Sequence, residues 1–324
     1  MAIQDATKRY PHLQFYLNPV YDDNTCQGNV LGALAAEKYY TGHVSAFIGP
    51  ICSLALDPVS RMASYWNVPV FTSGGISYQF SNKKIFTTLT RISFSLDRVS
   101  HFFLKIFQTY GWQHIALIVD ETDPANKLIK NSMQSMFKEA EFGYEIFLET
   151  ITFERKLSNV TIDYQRMLRQ ASRSARVIIL VTNGEFTRQI LLEAHPLGMG
   201  NGEYVFFGIE LLKDNKGTGD FSWYRAGDRR NKIAKEMFES LMKVAVRVPI
   251  SSEYTSFVHK VTKLSSEEFG RITSHEDVNP IVAAFYDCVS LYAYAFNYTL
   301  AKGGDVTDGR SLIRGALWDR TTPD

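Results

Sequence analysis

The sequence predicts an α/β protein with parallel sheets that are flanked by helices. Short apolar runs of strand length alternate with amphipathic segments of ten or more residues along most of the chain. Many of the apolar runs stop at glycine, proline or small polar residues, as buried strands do where they enter a tight turn. The 324 residues are 45% hydrophobic, which suits two domains of ordinary size.

The first elements in chain order are a helix and a short strand. The helix is expected over Ala2–Tyr10 and the strand over Leu13–Leu17, and a second helix is expected over Cys26–Tyr40. A doubly wound sheet normally opens with a strand, and here none precedes the first helix. We therefore expect the chain to be a fragment that lacks its opening strand, or to carry a misassigned start.

The stretch that follows predicts a βαβ unit. Ala46–Ile48 reads as a buried strand, Ser53 as the N-cap of a helix over Ala55–Trp66, and Val68–Phe71 as a second strand. Strand, helix and strand in this order form a right-handed unit. The loops that follow the strand ends, such as Ser73–Gly75, then border a ligand crevice.

The alternation restarts after Gly111, which is expected to cap the preceding helix, Ser95–Tyr110. Strands are predicted at Phe86–Thr88, Ile115–Val119, Glu145–Thr150, Val177–Val181 and Tyr204–Phe207. Helices are predicted at Ala125–Glu141, Thr161–Ala171, Glu185–Leu197, Ser252–Leu264, Val278–Leu300 and Gly309–Trp318. Two alternating blocks joined near Gly111 indicate two α/β lobes.

Charge and motifs exclude several functions. The net charge is +1 with basic residues scattered along the sequence, so there is no footprint for nucleic acid. No apolar run approaches the roughly 20 residues that span a bilayer, and no signal-peptide pattern opens the chain. P-loop, H-E-x-x-H and G-x-S-x-G motifs are missing, and the seven histidines lack metal-ligand spacing. We therefore predict that this part of the protein has no catalytic site and no metal site.

Three cysteines fit a cytosolic protein as well as a lightly cross-linked secreted one. From the residues alone, Cys26 and Cys52 are either a disulfide or two free thiols. Cys288 lies in a long apolar segment, so a buried and inert thiol is expected there.

Several ordered motifs resemble the extracellular ligand-binding region of natriuretic peptide receptors and related receptor guanylate cyclases. They are G-P-I-C-S, D-P-V-S-R-M-A-S-Y-W-N-V-P-V-F-T-S-G-G, G-E-Y-V-F-F-G-I-E-L, W-Y-R-A-G-D with one extra residue, F-Y-D-C-V-S-L-Y-A-Y-A-F-N-Y-T-L-A-K-G-G and W-D-R-T. These motifs occur in the same order as in the family and together cover nearly the whole chain. The family continues beyond the last motif, so strands are also expected to be missing at the C-terminal end.

The resemblance implies a two-lobed fold of the periplasmic-binding-protein-like type I class, with each lobe a doubly wound parallel sheet. The resemblance places the helix-rich C-terminal part back on the first lobe. A membrane-distal, ligand-binding lobe would then be formed by 1–111 and about 250–324, and a second, membrane-proximal lobe by 112–249. The resemblance further implies a Cys26–Cys52 disulfide, a homodimer and a place on the extracellular face of the plasma membrane, in a single-pass receptor. In the guanylate cyclase branch of the family, ligand binding would raise cytoplasmic cGMP. In the clearance branch, ligand binding would lead to uptake of the ligand. The alternative is a soluble solute-binding protein for amino acids or similar molecules.

The resemblance also suggests ligand-binding residues. Arg61 matches an arginine at the peptide site of hormone-binding relatives, and Glu210 matches an acidic position near the ligand. A solvated helix charge and a plain loop carboxylate are the respective alternatives. Leu54 matches a tyrosine of those relatives. Ser73 and Gly74 could direct backbone N–H groups at a ligand, or simply form a turn.

Some positions depart from the hormone-binding pattern. Gly28 replaces an aspartate, Leu54 replaces the tyrosine, and Leu212 replaces an aromatic residue. We therefore expect the architecture with a different ligand. Relatives bind a chloride ion beside the second cysteine, through backbone amides that match Ile51 and Cys52 and through an upstream hydroxyl group. Pro19 occupies roughly the position of that hydroxyl and cannot supply it, which weakens the expectation of a chloride site.

Two N-x-[ST] sequons occur, at Asn159 and Asn297. Both are candidate glycosylation sites if the chain is secreted. Apart from the chloride ion, no cofactor is expected.

Overall fold

The computed structural model describes residues 1–20, 26–92, 95–138, 143–155, 162–211, 218–271 and 278–315. They divide into two compact units, Met1–Ser95 with Pro280–Asp324 and Leu96–Asn279. The helices are α1 (Ala2–Arg9), α2 (Gly28–Thr41), α3 (Ser53–Trp66), α4 (Leu96–Tyr110), α5 (Pro124–Lys138), α6 (Tyr164–Ser174), α7 (Gly184–Ala194), α8 (Asn231–Phe238), α9 (Ser252–Phe269), α10 (Pro280–Ala301) and α11 (Gly309–Ile313). The strands are β1 (Phe47–Ile48), β2 (Val70–Thr72), β3 (Leu89–Arg91), β4 (His114–Asp120), β5 (Phe147–Phe153), β6 (Val177–Val181), β7 (Val205–Ile209) and β8 (Leu241–Val244).

The first unit contains a parallel sheet in the order β1-β2-β3. Phe47 pairs with Val70 and Val70 with Leu89, so β1, α3 and β2 form the predicted parallel βαβ unit. Helix α10 covers this sheet, where Tyr292 packs on Phe71 at 5.9 Å between ring centres. The α/β class with parallel sheets is confirmed.

Three details of the first unit differ from the sequence prediction. Leu13–Leu17 is not a strand, since it pairs with no strand in the described part of the chain, and Tyr16 is 88% exposed. Ser53 is the first residue of α3 and Cys52 is its N-cap, because the chain turns into the helix one residue earlier than predicted. The strand predicted at Phe86–Thr88 lies three residues later, as β3.

The second unit is built on a five-stranded parallel sheet in the order β5-β4-β6-β7-β8. The central strands β4 and β6 are buried on both faces, as their unbroken apolar sequences predict. Helix α8 and strand β8 were not predicted. Strand β8 reads Leu-Met-Lys-Val and has both central residues exposed, so it carries no clear periodic signal.

Helix α4 belongs to the second unit, although the predicted boundary placed it in the first lobe. Its residues pack on that unit: Phe103 lies 5.3 Å from Phe207 between ring centres, and Ser100 Oγ is 3.1 Å from Ser132 Oγ. Helix α9 was also expected in the first lobe. The Tyr254 hydroxyl of α9 donates to the Val278 carbonyl, and both residues belong to the second unit.

Candidate functional site

Two loops meet at the carboxyl end of the sheet in the first unit. The loop after β1 contains Gly49 to Cys52, and the loop after β2 contains Ser73 to Gly75. The Thr72 hydroxyl donates to the Pro50 carbonyl at 2.7 Å, and the Gly75 amide donates to the Ile51 carbonyl at 3.0 Å. These bonds hold the two loops together as one platform at the start of α3.

The second loop is a closely packed turn. The Gly74 amide donates to the Thr72 hydroxyl at 3.0 Å, and Ser73 and Gly74 are buried. A β-carbon at Gly74 would overlap the Ile51 backbone, and a β-carbon at Gly75, whose φ is +67°, would overlap the Leu56 side chain. Two amides of the turn therefore bond within the chain, as in the plain-turn alternative. The buried Ser73 hydroxyl has no hydrogen-bond partner among the described residues.

The Cys26–Cys52 disulfide is present, with the two α-carbons 5.6 Å apart, as the resemblance predicted. It joins the start of α2 to the start of α3. Beside it, a β-carbon at Gly28 would overlap the carbonyl oxygen of Leu54. The glycine at the position of the relatives' aspartate therefore permits a close approach of the two helices.

Apolar side chains are exposed on this platform. Ile51 is 45% exposed and Leu54 is 63% exposed, although both flank a disulfide-anchored helix start. Folding normally removes such surface from water, at about 25 cal/mol for each Å² of apolar area. An exposed apolar pair on a rigid support is therefore suited to contact with an apolar group of a ligand.

Arg61 lies two turns further along α3 and is half exposed. Its Nε lies 3.1 and 3.0 Å from the two carboxylate oxygens of Asp57, and its guanidinium lies 5.2 Å from the centre of the Phe86 ring. The hydrogen bond to Asp57 raises the pKa of Arg61 above its usual value. Arg61 is thus a half-exposed helix cation paired with Asp57, and its role at a ligand site stays a prediction.

Glu210 follows β7 and belongs to the second unit. Its carboxylate is 11% exposed and lies 3.3 Å from Lys243 Nζ. The other four candidate residues, Leu54, Arg61, Ser73 and Gly74, are in the first unit, where the βαβ connection brings their loops and helix together.

Sequence reasoning missed an aromatic cluster on α2 and α3. Tyr39 stacks on Trp66 at 4.2 Å between ring centres, and Tyr40 packs edge-on against Trp66 at 5.9 Å. Tyr40 is 74% exposed and Tyr65 is 85% exposed. The adjacent pairs Tyr39-Tyr40 and Tyr65-Trp66, each at the end of a predicted helix, were the available signal.

The sequons and the third cysteine have different environments. Asn159 and also Leu212 lie outside the described residues. Asn297 is within α10, where its side-chain oxygen lies 2.8 Å from His12 Nε2 and the following Thr299 is buried. Cys288 is buried as predicted, and burial raises the pKa of its thiol to about 12.

The described residues contain no group of three His, Cys, Asp or Glu side chains that could hold a metal ion. In that part of the chain, no helix combines the length and apolarity needed to cross a membrane.

Comparison with known proteins matches residues 1–320 to a family described as the receptor family ligand binding region. Atrial natriuretic peptide receptor 3 of Mus musculus is 29% identical over 93% of this chain and 55% of its own length. Receptor-type guanylate cyclase gcy-28 of Caenorhabditis elegans is 26% identical over 99% of this chain and 29% of its own. Guanylate cyclase 2G of Mus musculus is 26% identical over 90% of this chain and 26% of its own length. The chain spans about half the length of the receptor 3 relatives.

Proposed function

The chain belongs to the receptor ligand-binding-region family, and from this premise we propose that it is the extracellular ligand-binding region of a single-pass cell-surface receptor. The fold is the periplasmic-binding-protein-like type I class of that family, and the matched region is not catalytic in its relatives. The Cys26–Cys52 disulfide supports an oxidising compartment, since structural disulfides are rare in the cytosol.

The observation that carries the proposed site is the exposed apolar pair beside the disulfide. Ile51 and Leu54 present apolar surface at the carboxyl end of a parallel sheet, where ligands of open α/β sheets bind. Arg61 extends the same helix face with a charge held by Asp57. We assign contact with the ligand to these three residues and a shaping role to Ser73 and Gly74. A ligand-binding role for Glu210, which belongs to the second unit, stays a prediction from the resemblance.

The proposed ligand is an extracellular peptide. Relatives are named for atrial natriuretic peptide, and this chain departs from the hormone-binding pattern at Gly28 and Leu54. An apolar residue in place of an aromatic one favours a peptide whose anchor is an aliphatic side chain. A chloride ion at Ile51 and Cys52 remains a prediction, and no other cofactor is proposed.

The proposed signal passes through a homodimer. Tyr40 and Tyr65 are exposed on the aromatic cluster of α2 and α3, and a two-fold dimer would place the same surface of both copies in contact. A ligand that binds two dimer arrangements with different affinity shifts their populations. A guanylate cyclase that makes cGMP is the favoured effector because two of the relatives above are named as guanylate cyclases, and a clearance-type receptor is the second choice.

The dimer is tested by light scattering on the secreted chain. The pair Tyr40→Ser and Tyr65→Ser is expected to convert dimers to monomers at micromolar concentration. The matched control pair, Tyr16→Ser and Tyr224→Ser, removes tyrosines that are 88% and 55% exposed elsewhere and should leave the dimer intact. A monomeric unmodified chain would contradict the dimer and favour the solute-binding alternative.

The ligand site is tested by selecting binders from a library of disulfide-cyclised peptides on the secreted chain. Selected peptides should lose at least about tenfold in affinity to Leu54→Asp, because a charge would face their apolar anchor. Leu17→Asp, at a 68% exposed leucine elsewhere in the first unit, is the control and should have no effect. Selected peptides whose affinity is unchanged by Leu54→Asp would contradict the proposed site.

A further inference from the structure

Three arginines form a stripe along the outer face of α6. Arg166, Arg169 and Arg173 are all exposed and are spaced three and four residues apart. At 3.6 residues per turn they fall within about 60° of the helix circumference and span roughly 10 Å along its axis. Met167, Leu168 and Ala171 are buried on the opposite face and fix the orientation of the helix.

Arg176 extends the stripe just past the end of α6. Its Nη1 donates to the Ser172 carbonyl at 2.6 Å, and its guanidinium lies 5.0 Å from the centre of the Tyr204 ring. The side chain is exposed and is held in place at the helix carboxyl end, where a cation is favoured.

None of the four arginines forms an ion pair with a carboxylate among the described residues. Asp163 is the N-cap of α6 and accepts from the Arg166 amide, and two glutamates beside the helix accept from glutamines. Gln165 donates to Glu193 at 2.8 Å and Gln170 donates to Glu149 at 2.8 Å. In a chain with a net charge of +1, four exposed arginines without acidic partners are a concentrated positive surface.

We propose that this arginine stripe binds a linear sulfated polysaccharide of the extracellular matrix or cell surface. Guanidinium groups pair with anionic oxygens through two parallel N–H···O bonds, so arginine suits sulfate better than lysine does. A single row of charges matches a linear polymer. The inference rests on the proposed extracellular location, where sulfated polysaccharides are available. A membrane surface is a less suitable partner there, because the negative surface potential of membranes is mainly a property of the cytoplasmic leaflet.

The test is a titration of the full 324-residue chain with a heparin oligosaccharide at several salt concentrations. The triple variant Arg166→Gln, Arg169→Gln and Arg173→Gln keeps helix propensity and should lose at least about tenfold in affinity, with a salt slope smaller by about two to three. The control triple, Lys260→Gln, Lys263→Gln and Arg271→Gln, removes the same charge from exposed positions on or beside α9 and should bind like the unmodified chain.

No heparin affinity at physiological salt would overturn the inference, as would equal losses in the two triple variants. Binding to vesicles of phosphatidylserine and phosphatidylcholine without binding to heparin would also overturn it. A secreted chain that fails to bind heparin contradicts this inference alone. A chain that binds heparin through the stripe but is not secreted contradicts the proposed function and leaves the anion site standing.

Discussion

Gly28, at the start of α2, lies directly against the carbonyl oxygen of Leu54 in α3. Leu54 is also the most exposed apolar side chain of the proposed ligand site. Two of the three positions that were expected to depart from the hormone-binding pattern, Gly28 and Leu54, are therefore neighbours. A side chain at Gly28 would displace the backbone that carries Leu54.

Gly28→Asp tests this relationship. The new side chain has to displace the α3 backbone, and we expect a loss of about 1–3 kcal/mol in the free energy of unfolding, measured with urea. Asn29→Asp, which adds the same charge at the exposed next position, should change stability by less than about 0.5 kcal/mol. Equal effects of the two substitutions would show that α2 and α3 are not in close contact at Gly28.

Loss of the disulfide should destabilise the chain. Cys26 and Cys52 are 26 residues apart, and the loop model gives about 3–4 kcal/mol for such a bridge. The double variant Cys26→Ser and Cys52→Ser should melt at a lower temperature and should no longer respond to a reducing agent. Cys288→Ala is the control and should keep that response; a reductant-insensitive unmodified chain would contradict the bridge.

A contact between distant segments holds α11 on the βαβ unit. Asp308 caps α11 by accepting from the Arg310 and Ser311 amides, and it also accepts from Asn67 Nδ2 at 2.8 Å. Asp308→Ala should cost about 1–2 kcal/mol in the free energy of unfolding, since a cap and a cross-segment bond are both lost. Asp305→Ala removes a carboxylate that accepts from the amide and the hydroxyl of nearby Thr307, bonds within the same loop, and should cost less. Similar costs would mean that the bond to Asn67 adds nothing.

Acid should weaken a loop of the second unit. Asp228 accepts from the Arg230 amide and from the buried Arg188, and these bonds, with that from the Arg230 amide largest, lower its pKa to about 2. Because the folded pKa is below the unfolded value of about 3.9, this contribution to stability is present above pH 4 and is lost as the pH falls towards 2.

Asp228→Asn therefore has a pH-dependent effect. Unmodified chain and variant should differ most in the free energy of unfolding at neutral pH, and the difference should shrink as the pH falls below 4. Asp123→Asn is the control, at a partly exposed aspartate that accepts from the Ala125 amide but pairs with no arginine among the described residues, and it should lack the part of the difference that depends on Arg188 and Arg230. A difference independent of pH would contradict the assigned role.

The sequence predicted the central elements well, because their signals are local. The buried strand Val177–Val181 was predicted with its observed bounds, since five consecutive apolar residues flanked by polar ones admit few alternatives. Alternation of such strands with helices then fixes a parallel sheet. Strand β8 was missed because a four-residue edge strand with two exposed side chains depends on its neighbour β7 for its conformation.

The candidate site was predicted in part. The resemblance supplied Cys26–Cys52, and the loops after β1 and β2 were expected where they are. The burial of Ser73 and Gly74 could not be predicted, because it depends on the packing of one loop against the carbonyl of Ile51 in another. The α6 arginine stripe is visible in the sequence only as a spacing of arginines. That no carboxylate of the described residues pairs with these arginines depends on the fold and could not be predicted.

The most direct test of the central claim is the state of Cys26 and Cys52 in the chain expressed with a secretion signal. Free thiols are blocked before digestion, and the peptides are then mapped by mass spectrometry. If the chain is an extracellular receptor region, we expect folded, secreted protein in which Cys26 is linked to Cys52 and Cys288 is free. Folded, secreted chain in which Cys26 carries the thiol-blocking group would contradict it.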